Sequence, residues 1–286
     1  MKKTFLIALA ATALAAPAFA DHHSMSKAEH DKMHKEHSER LAKILADPSR
    51  GADAKRDQYR HPAETFEFFR LHPDHVIGEY APGGAWVSRI LGRYVNEKGK
   101  YTGLYFGTKS HFSDQQKAGI AAGIAKFPAD VAAVSGRPAT DFNAFSLSEV
   151  PDGAKGSFDR ILVMRMMHNI MNWNIADAEI KAMRDLLKDD GLLGIEQHRA
   201  KADAPFSYTD GTKGYMREAD IIKFMEVNGF DLVAKSEINA NPKDSANWPD
   251  GVWTLPPALR LKDVDRAKYE TIGESDRMTL LFKKRP

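Results

Sequence analysis

The sequence predicts a doubly wound α/β fold, a mostly parallel seven-stranded sheet with helices on both faces, entered through an N-terminal helical leader. Three observations carry that prediction. From about residue 60, short apolar runs alternate with longer amphipathic stretches, the pattern of strands alternating with helices around a parallel sheet. The 286 residues include 43% hydrophobic and 9% aromatic side chains, an ordinary globular composition with material for one large core or two modest ones. The first apolar run of this region feeds into Ala81-Pro82-Gly83-Gly84-Ala85 and then an amphipathic stretch. A strand, a small-residue turn and a helix N-terminus in that order are how open α/β sheets hold nucleotides and related cofactors.

Along the chain, Lys2 and Lys3 precede an apolar run over residues 5–14, and residues 18–20 read Ala-Phe-Ala. That is the layout of a secretory signal, so residues 1–20 are expected to be a signal peptide and the mature protein to be periplasmic. Residues 21–59 form a leader in which five of the eleven histidines (His22, His23, His30, His34, His37) fall within sixteen residues. His30, His34 and His37 are spaced four and three apart, which places them on one helix face where imidazoles can share a transition metal. The same stretch, rich in Lys and Glu, also reads as a solvated helix or flexible leader with no dedicated metal site. Leu41, Ile44 and Leu45 supply a short apolar stripe for docking its end.

Within the domain, residues 60–286, strands are expected at 76–80, 100–106, 142–147, 158–164, 192–196, 230–238 and 278–283. Helices are expected near 62–69, 86–94, 114–127, 175–187 and 218–228. Residues 239–274 hold Pro242, Pro249, Pro256 and Pro257, and so long an irregular piece is expected to serve a site.

Lys and Arg number 41 against 39 Asp and Glu. Removing residues 1–20 takes away two lysines and leaves 39 of each sign, so no nucleic-acid partner is expected. The absence of cysteine excludes disulfides, thiolate zinc sites, iron–sulfur clusters and cysteine nucleophiles. The leader's apolar run is too short for a stable membrane span, and no later stretch is read as approaching the ~20 apolar residues one needs. The expected partner is a small-molecule substrate, and nothing in the sequence sets the oligomeric state.

Chemistry-bearing residues cluster at the ends of the expected strands. Glu79 ends the first one and can accept hydrogen bonds from an amine or hydroxyl, while Gly83 and Gly84 let a ligand approach the backbone. Pro-Gly-Gly is also a common turn, with Glu79 then a helix cap, and this segment alone leaves both readings open. Past the strand at 158–164 come Arg165-Met-Met-His168-Asn169, and the strand at 192–196 is followed by His198. Two histidines after adjacent strands face one crevice.

On these residues the chain resembles class I S-adenosylmethionine-dependent methyltransferases. Glu79-x-Ala81-x-Gly83-x-Ala85 is similar to their acid-x-Gly-x-Gly-x-Gly loop, and Leu187-Lys-Asp-Asp-Gly191 is similar to their Leu-Lys-Pro-Gly-Gly turn. More narrowly, Glu79-Tyr-Ala-Pro-Gly-Gly-Ala-Trp86, Arg165-Met-Met-His-Asn169, Gly194-Ile-Glu-Gln-His-Arg199, Asn241-Pro-Lys-Asp244 and Asp276-Arg277 resemble an exported bacterial group described as predicted methyltransferases. The resemblance runs from about residue 60 to the end and implies a Rossmann-like methyltransferase fold with S-adenosylmethionine as cofactor. It implies that Glu79, Gly83, Gly84 and Trp86 surround the methionine moiety, that Tyr105 and residues 146–149 lie near the nucleoside, and that Arg165, His168 and Asn169 line the crevice to the acceptor. His168, His198 and Arg165 are the implied catalytic residues, His198 as general base; Tyr215, Arg217 and Asn241 are placed at the mouth. His168 can equally serve only to hydrogen-bond the next loop.

Two departures matter. Two loop glycines are alanines, and the second strand ends Leu104-Tyr105-Phe106-Gly107 without the acid that receives the ribose hydroxyls in that family. A non-catalytic exported small-ligand-binding protein on the same scaffold, and metal binding through the histidine-rich leader, therefore stand as the competing functions.

Overall fold

A computed structural model describes residues 26–83, 85–109 and 111–286, with the His30 side chain excepted. The signal segment, His22, His23 and Gly84 lie outside the described residues. Seven strands form one sheet: β1 (Val76–Tyr80), β2 (Lys100–Tyr105), β3 (Phe142–Ser146), β4 (Phe158–Met164), β5 (Leu187–His198), β6 (Phe230–Ser236) and β7 (Arg277–Lys284). Their order is β3-β2-β1-β4-β5-β7-β6. β1 to β5 pair in parallel, and β7 runs antiparallel between β5 and β6. The chain winds outward from β1 on one side and resumes at β4 on the other, so β1 and β4 flank the switch point where such sheets open a crevice.

The helices are α1 (Lys27–Leu45), α2 (Asp57–Arg60), α3 (Pro62–Phe68), α4 (Trp86–Tyr94), α5 (Asp114–Ser135), α6 (Met167–Asn172), α7 (Ala176–Leu186), α8 (Glu218–Val227) and α9 (Arg266–Ile272). They divide the core in two. One cluster joins Leu104, Ile161, Val163, Ile180, Met183 and Ile195 beneath α7 and α8; the other joins Ile77, Leu162 and Leu281 with Phe66, Ile90, Leu91 and Val131 beneath α3, α4 and α5. The sheet residues of both faces are apolar, as burial on two sides requires.

The leader is a real helix: a capping box of Ser26 and Glu29 opens α1. Leu41 is buried, Ile44 and Leu45 pack beside it, and Arg40 Nε donates to Tyr94 O at 2.6 Å. The next stretch, Pro48–Arg56, coils as 3-10 turns across α4, where Asp53 pairs with Arg89.

Three expectations change. Helix α5 does not stop at 127 but continues over Pro128 to Ser135. A proline leaves the carbonyl four residues earlier without its helical partner; that residue, Ile124, is partly exposed, so the helix continues where the loss is least costly. At 22 residues α5 is also long and apolar enough, by length and composition, to cross a membrane, contrary to the reading that no later stretch comes close. In this fold it lies along the sheet, burying Phe127 and Val131. Lastly, β5 begins at Leu187, and the expected turn at 188–191 is a bulge inside it: the register with β4 jumps from Phe158↔Leu187 to Arg160↔Leu192. Gly191 is needed there, because a Cβ would sit 2.8 Å from Phe158 O.

Candidate active site

The loop after β1 keeps a glycine-like backbone although alanines stand in it. Ala81 and Ala85 occupy left-handed conformations, φ 50° and 53°, at the positions where the resembling family carries glycine. Such a conformation costs an alanine roughly 1–2 kcal/mol. At Gly83 a Cβ would meet only Ala81 O, at 3.7 Å, so the packing of the chain itself does not demand glycine there. Glu79 is buried at the end of β1. Its Oε2 accepts from Ser88 Oγ at 2.8 Å and from the Tyr101 hydroxyl, while Oε1 takes no hydrogen bond among the described residues. Burial raises its pKa, and the two hydroxyls and Arg165 counter that shift.

Beyond the end of β2 opens a cavity of about 300 Å³ lined by Tyr105, Phe106, Phe112, Gln116, Gly119, Ile120 and Trp173. Its walls are aromatic: Trp173 meets Phe106 edge-on at 5.0 Å, and Phe112 at 6.4 Å. A slot of this size and polarity accepts a flat heterocycle. A buried carboxylate from α7 reaches the end of β2. Glu179, buried, accepts from the Tyr80 hydroxyl at 2.8 Å and from the Gly107 amide at 3.0 Å, and burial raises its pKa.

Past β4 and β5 the two histidines come together. His168, on α6, and His198, the last residue of β5, have ring centroids 5.7 Å apart, and Trp253 from the long 239–274 stretch closes over His168 at 5.9 Å. His168 Nδ1 lies 3.2 Å from the Gln197 amide nitrogen, which also donates to Gly214 O. His198 Nδ1 shares a 2.6 Å hydrogen bond with Ser275 Oγ. Neither Nε2 is hydrogen-bonded among the described residues. Burial, with the Arg165 charge, lowers the His168 pKa to about 4 against the opposing Gln197 bond. Burial, His168, Arg277 and Arg165 push that of His198 well below its ordinary value. Both rings are neutral at pH 7.

Beneath them is a buried charge network. Glu196 pairs with Arg277 at 2.8 Å and Arg165 at 3.1 Å; Glu274 pairs with Arg277 at 2.7 Å, Arg60 at 2.8 Å and Arg56 at 2.9 Å. Four guanidiniums on two carboxylates leave an excess of positive charge, suited to an anionic group. Arg165 itself stands at φ 58°, a strained backbone of the kind that recurs at functional sites.

Of the residues singled out from sequence, Glu79, Tyr105, Arg165, His168 and His198 lie at the C-terminal ends of the strands. Asn169 is next to His168, but its amide is turned to Met166 Sδ at 3.4 Å. Trp86 goes elsewhere than the loop: its Nε1 donates to Asp53 O at 3.1 Å and Arg60 stacks on its ring at 4.9 Å, so it fastens the leader. Tyr215 is buried against Asp244 at 3.0 Å, and Asn241 caps Ile272 and Glu274 carbonyls; both brace the long stretch. The sequence gives no sign of Glu179 or of Phe106 and Phe112 as cavity walls, whereas Trp173 belongs to the polar and aromatic group that follows β4.

No protein-family model matches the chain, and no curated protein does. Solved structures do. The chain is similar to MccD protein (9% identity, 78% of this chain and 95% of that one, TM-score 0.51). It is similar to a SAM dependent methyltransferase from Aquifex aeolicus (15%, 70% and 93%, TM-score 0.46) and to the cyclase SpnF (17%, 79% and 80%, TM-score 0.47). The strand order and the MccD likeness together give the chain the Rossmann-like fold expected from its sequence, and at such identities the likeness is one of fold.

Proposed function

We propose that the protein transfers a methyl group from S-adenosylmethionine to a small-molecule acceptor in the crevice at the C-terminal ends of β1, β2, β4 and β5. The observation that carries the reading is the aromatic-walled cavity past β2. It stands beside a loop that already holds glycine-like backbone at Ala81 and Ala85. Four features suit the cofactor: the cavity for its purine, Glu179 as the acid that β2 lacks, Glu79, whose Oε1 takes no hydrogen bond among the described residues, for its ammonium, and Arg165 for its carboxylate. The bound cofactor supplies an electrophilic methyl group.

The protein's own task is then alignment and proton removal. Gln197, whose side-chain amide faces His168 Nδ1, fixes that ring and leaves its Nε2 to orient the acceptor. His198, giving its Nδ1–H to Ser275, keeps the Nε2 lone pair and takes the acceptor's proton. Trp253 excludes water above them. Export of the protein to the periplasm, proposed from its first 20 residues, requires that S-adenosylmethionine reach that compartment.

Gly119 provides the test. A Cβ there meets nothing within 4 Å, so Gly119→Leu fills the cavity without disturbing the backbone. Affinity for S-adenosylhomocysteine, measured by calorimetry, is expected to fall about 100-fold, roughly the 2–3 kcal/mol that a blocked base-stacking slot commands. Equal affinity in both proteins would place the cofactor elsewhere.

A further inference from the structure

At the opposite, N-terminal end of β1, the stretch His72-Pro73-Asp74-His75 turns into the sheet beneath the leader helix. The ligand atoms of His72, Asp74 and His75 all lie within 4.8 Å of one another. The two imidazoles are stacked, 4.5 Å between centroids at 21°. His37, from the face of α1 that sequence reading marked, reaches down to His72 with centroids 4.9 Å apart. One helical turn earlier, His34 Nε2 approaches Glu67 Oε1 of α3 at 3.7 Å. Three imidazoles and a carboxylate converge here from two segments 35 residues apart in the chain, counting from His37 to His72. None of them belongs to the crevice.

We propose that His72, Asp74 and His75, with His37 closing from the leader, form a site for a divalent transition metal, zinc foremost, that staples α1 to the domain. Three nitrogens and one oxygen are a donor set for zinc and its neighbours rather than for magnesium or calcium, which take oxygen. His75 Nδ1 accepts a long bond, 3.3 Å, from the His72 amide, and a metal at that nitrogen replaces it. Asp74 is exposed while the three rings are half-buried, so an ion enters from the carboxylate side. The inference is independent of the methyl-transfer reading, because it uses no residue of the crevice.

The test is calorimetric titration of the tag-free full-length protein with zinc chloride, alongside Asp74→Asn, His37→Gln and a triple variant, His22→Ala, His23→Ala, His30→Ala. Circular dichroism verifies the fold of each; Asp74 is exposed, and glutamine keeps most of the volume of the half-buried His37. The expected result is one zinc per chain at micromolar affinity or tighter, unaltered in the triple variant. Asp74→Asn is expected to weaken it at least about tenfold, and His37→Gln to weaken it and abolish the rise in Tm that zinc gives the parent protein. Absence of saturable binding overturns the proposal. So does binding that disappears in the triple variant and persists in Asp74→Asn, since the ion would then sit on the leader alone.

Discussion

Ala85 holds a left-handed backbone at φ 53° immediately before α4, where a Cβ is crowded by its own carbonyl. Ala85→Gly is therefore expected to stabilise the protein, by about 0.5–1 kcal/mol after the extra freedom of glycine in the unfolded chain is subtracted. Urea denaturation reads this directly, and a destabilised variant would mean that the methyl group packs better than the backbone suffers. The acid and glycine of this loop were legible in the sequence because their chemistry is local: a strand, a turn and a helix start. The placement of His168 and His198 side by side was legible for the same reason, each following its own strand. The burial of Glu179 was not, because a carboxylate in the first turn of a helix reads as a solvated residue until the sheet brings Tyr80 and Gly107 against it. Trp86 misled in the opposite sense. Its place on the first turn of α4 was right, but the leader, a separate segment, decides which way the ring turns.

The short segment from Arg56 to Arg60 exists in order to send two arginines inward, and Glu274, at the end of the long stretch, receives both together with Arg277. Removing one partner from such a buried network leaves the others uncompensated. Glu274→Gln is expected to destabilise the protein by about 3–5 kcal/mol and to loosen the leader and the 239–274 stretch at once, seen as protease nicking in both. A change under about 1 kcal/mol would mean that solvent already screens the network. The seven strands were readable from their apolar runs, each to within a few residues. The continuation of α5 past Pro128 and the bulge at 188–191 were not, since one depends on a solvent-facing carbonyl and the other on β4 as a template. The helix α6 was missed because six residues between a strand and a turn carry no readable period.

Taken whole, the molecule gathers titratable groups at the ends of one sheet, and its stability must depend on pH. His168 titrates near 4 when folded and near 6.5 when unfolded, so between those values the unfolded chain binds more protons and stability falls as pH falls. The full span corresponds to about 3 kcal/mol. Glu79 and Glu179, whose pKa values burial raises, act in the opposite direction, so the histidine's share is isolated by comparison with His168→Gln. The variant is expected to lose less stability than the parent between pH 6.5 and 4 in urea unfolding, and parallel pH curves for the two proteins would contradict a buried neutral His168. On the proposed reading the cofactor lies at one end of the molecule, where the strand C-termini open the crevice and the cavity past β2 adjoins it. The most direct measurement is calorimetric titration of the protein with S-adenosylmethionine and S-adenosylhomocysteine. Micromolar binding of both at one site per chain is the predicted result; no heat of binding at millimolar ligand would contradict it and leave the fold as a scaffold for another small ligand.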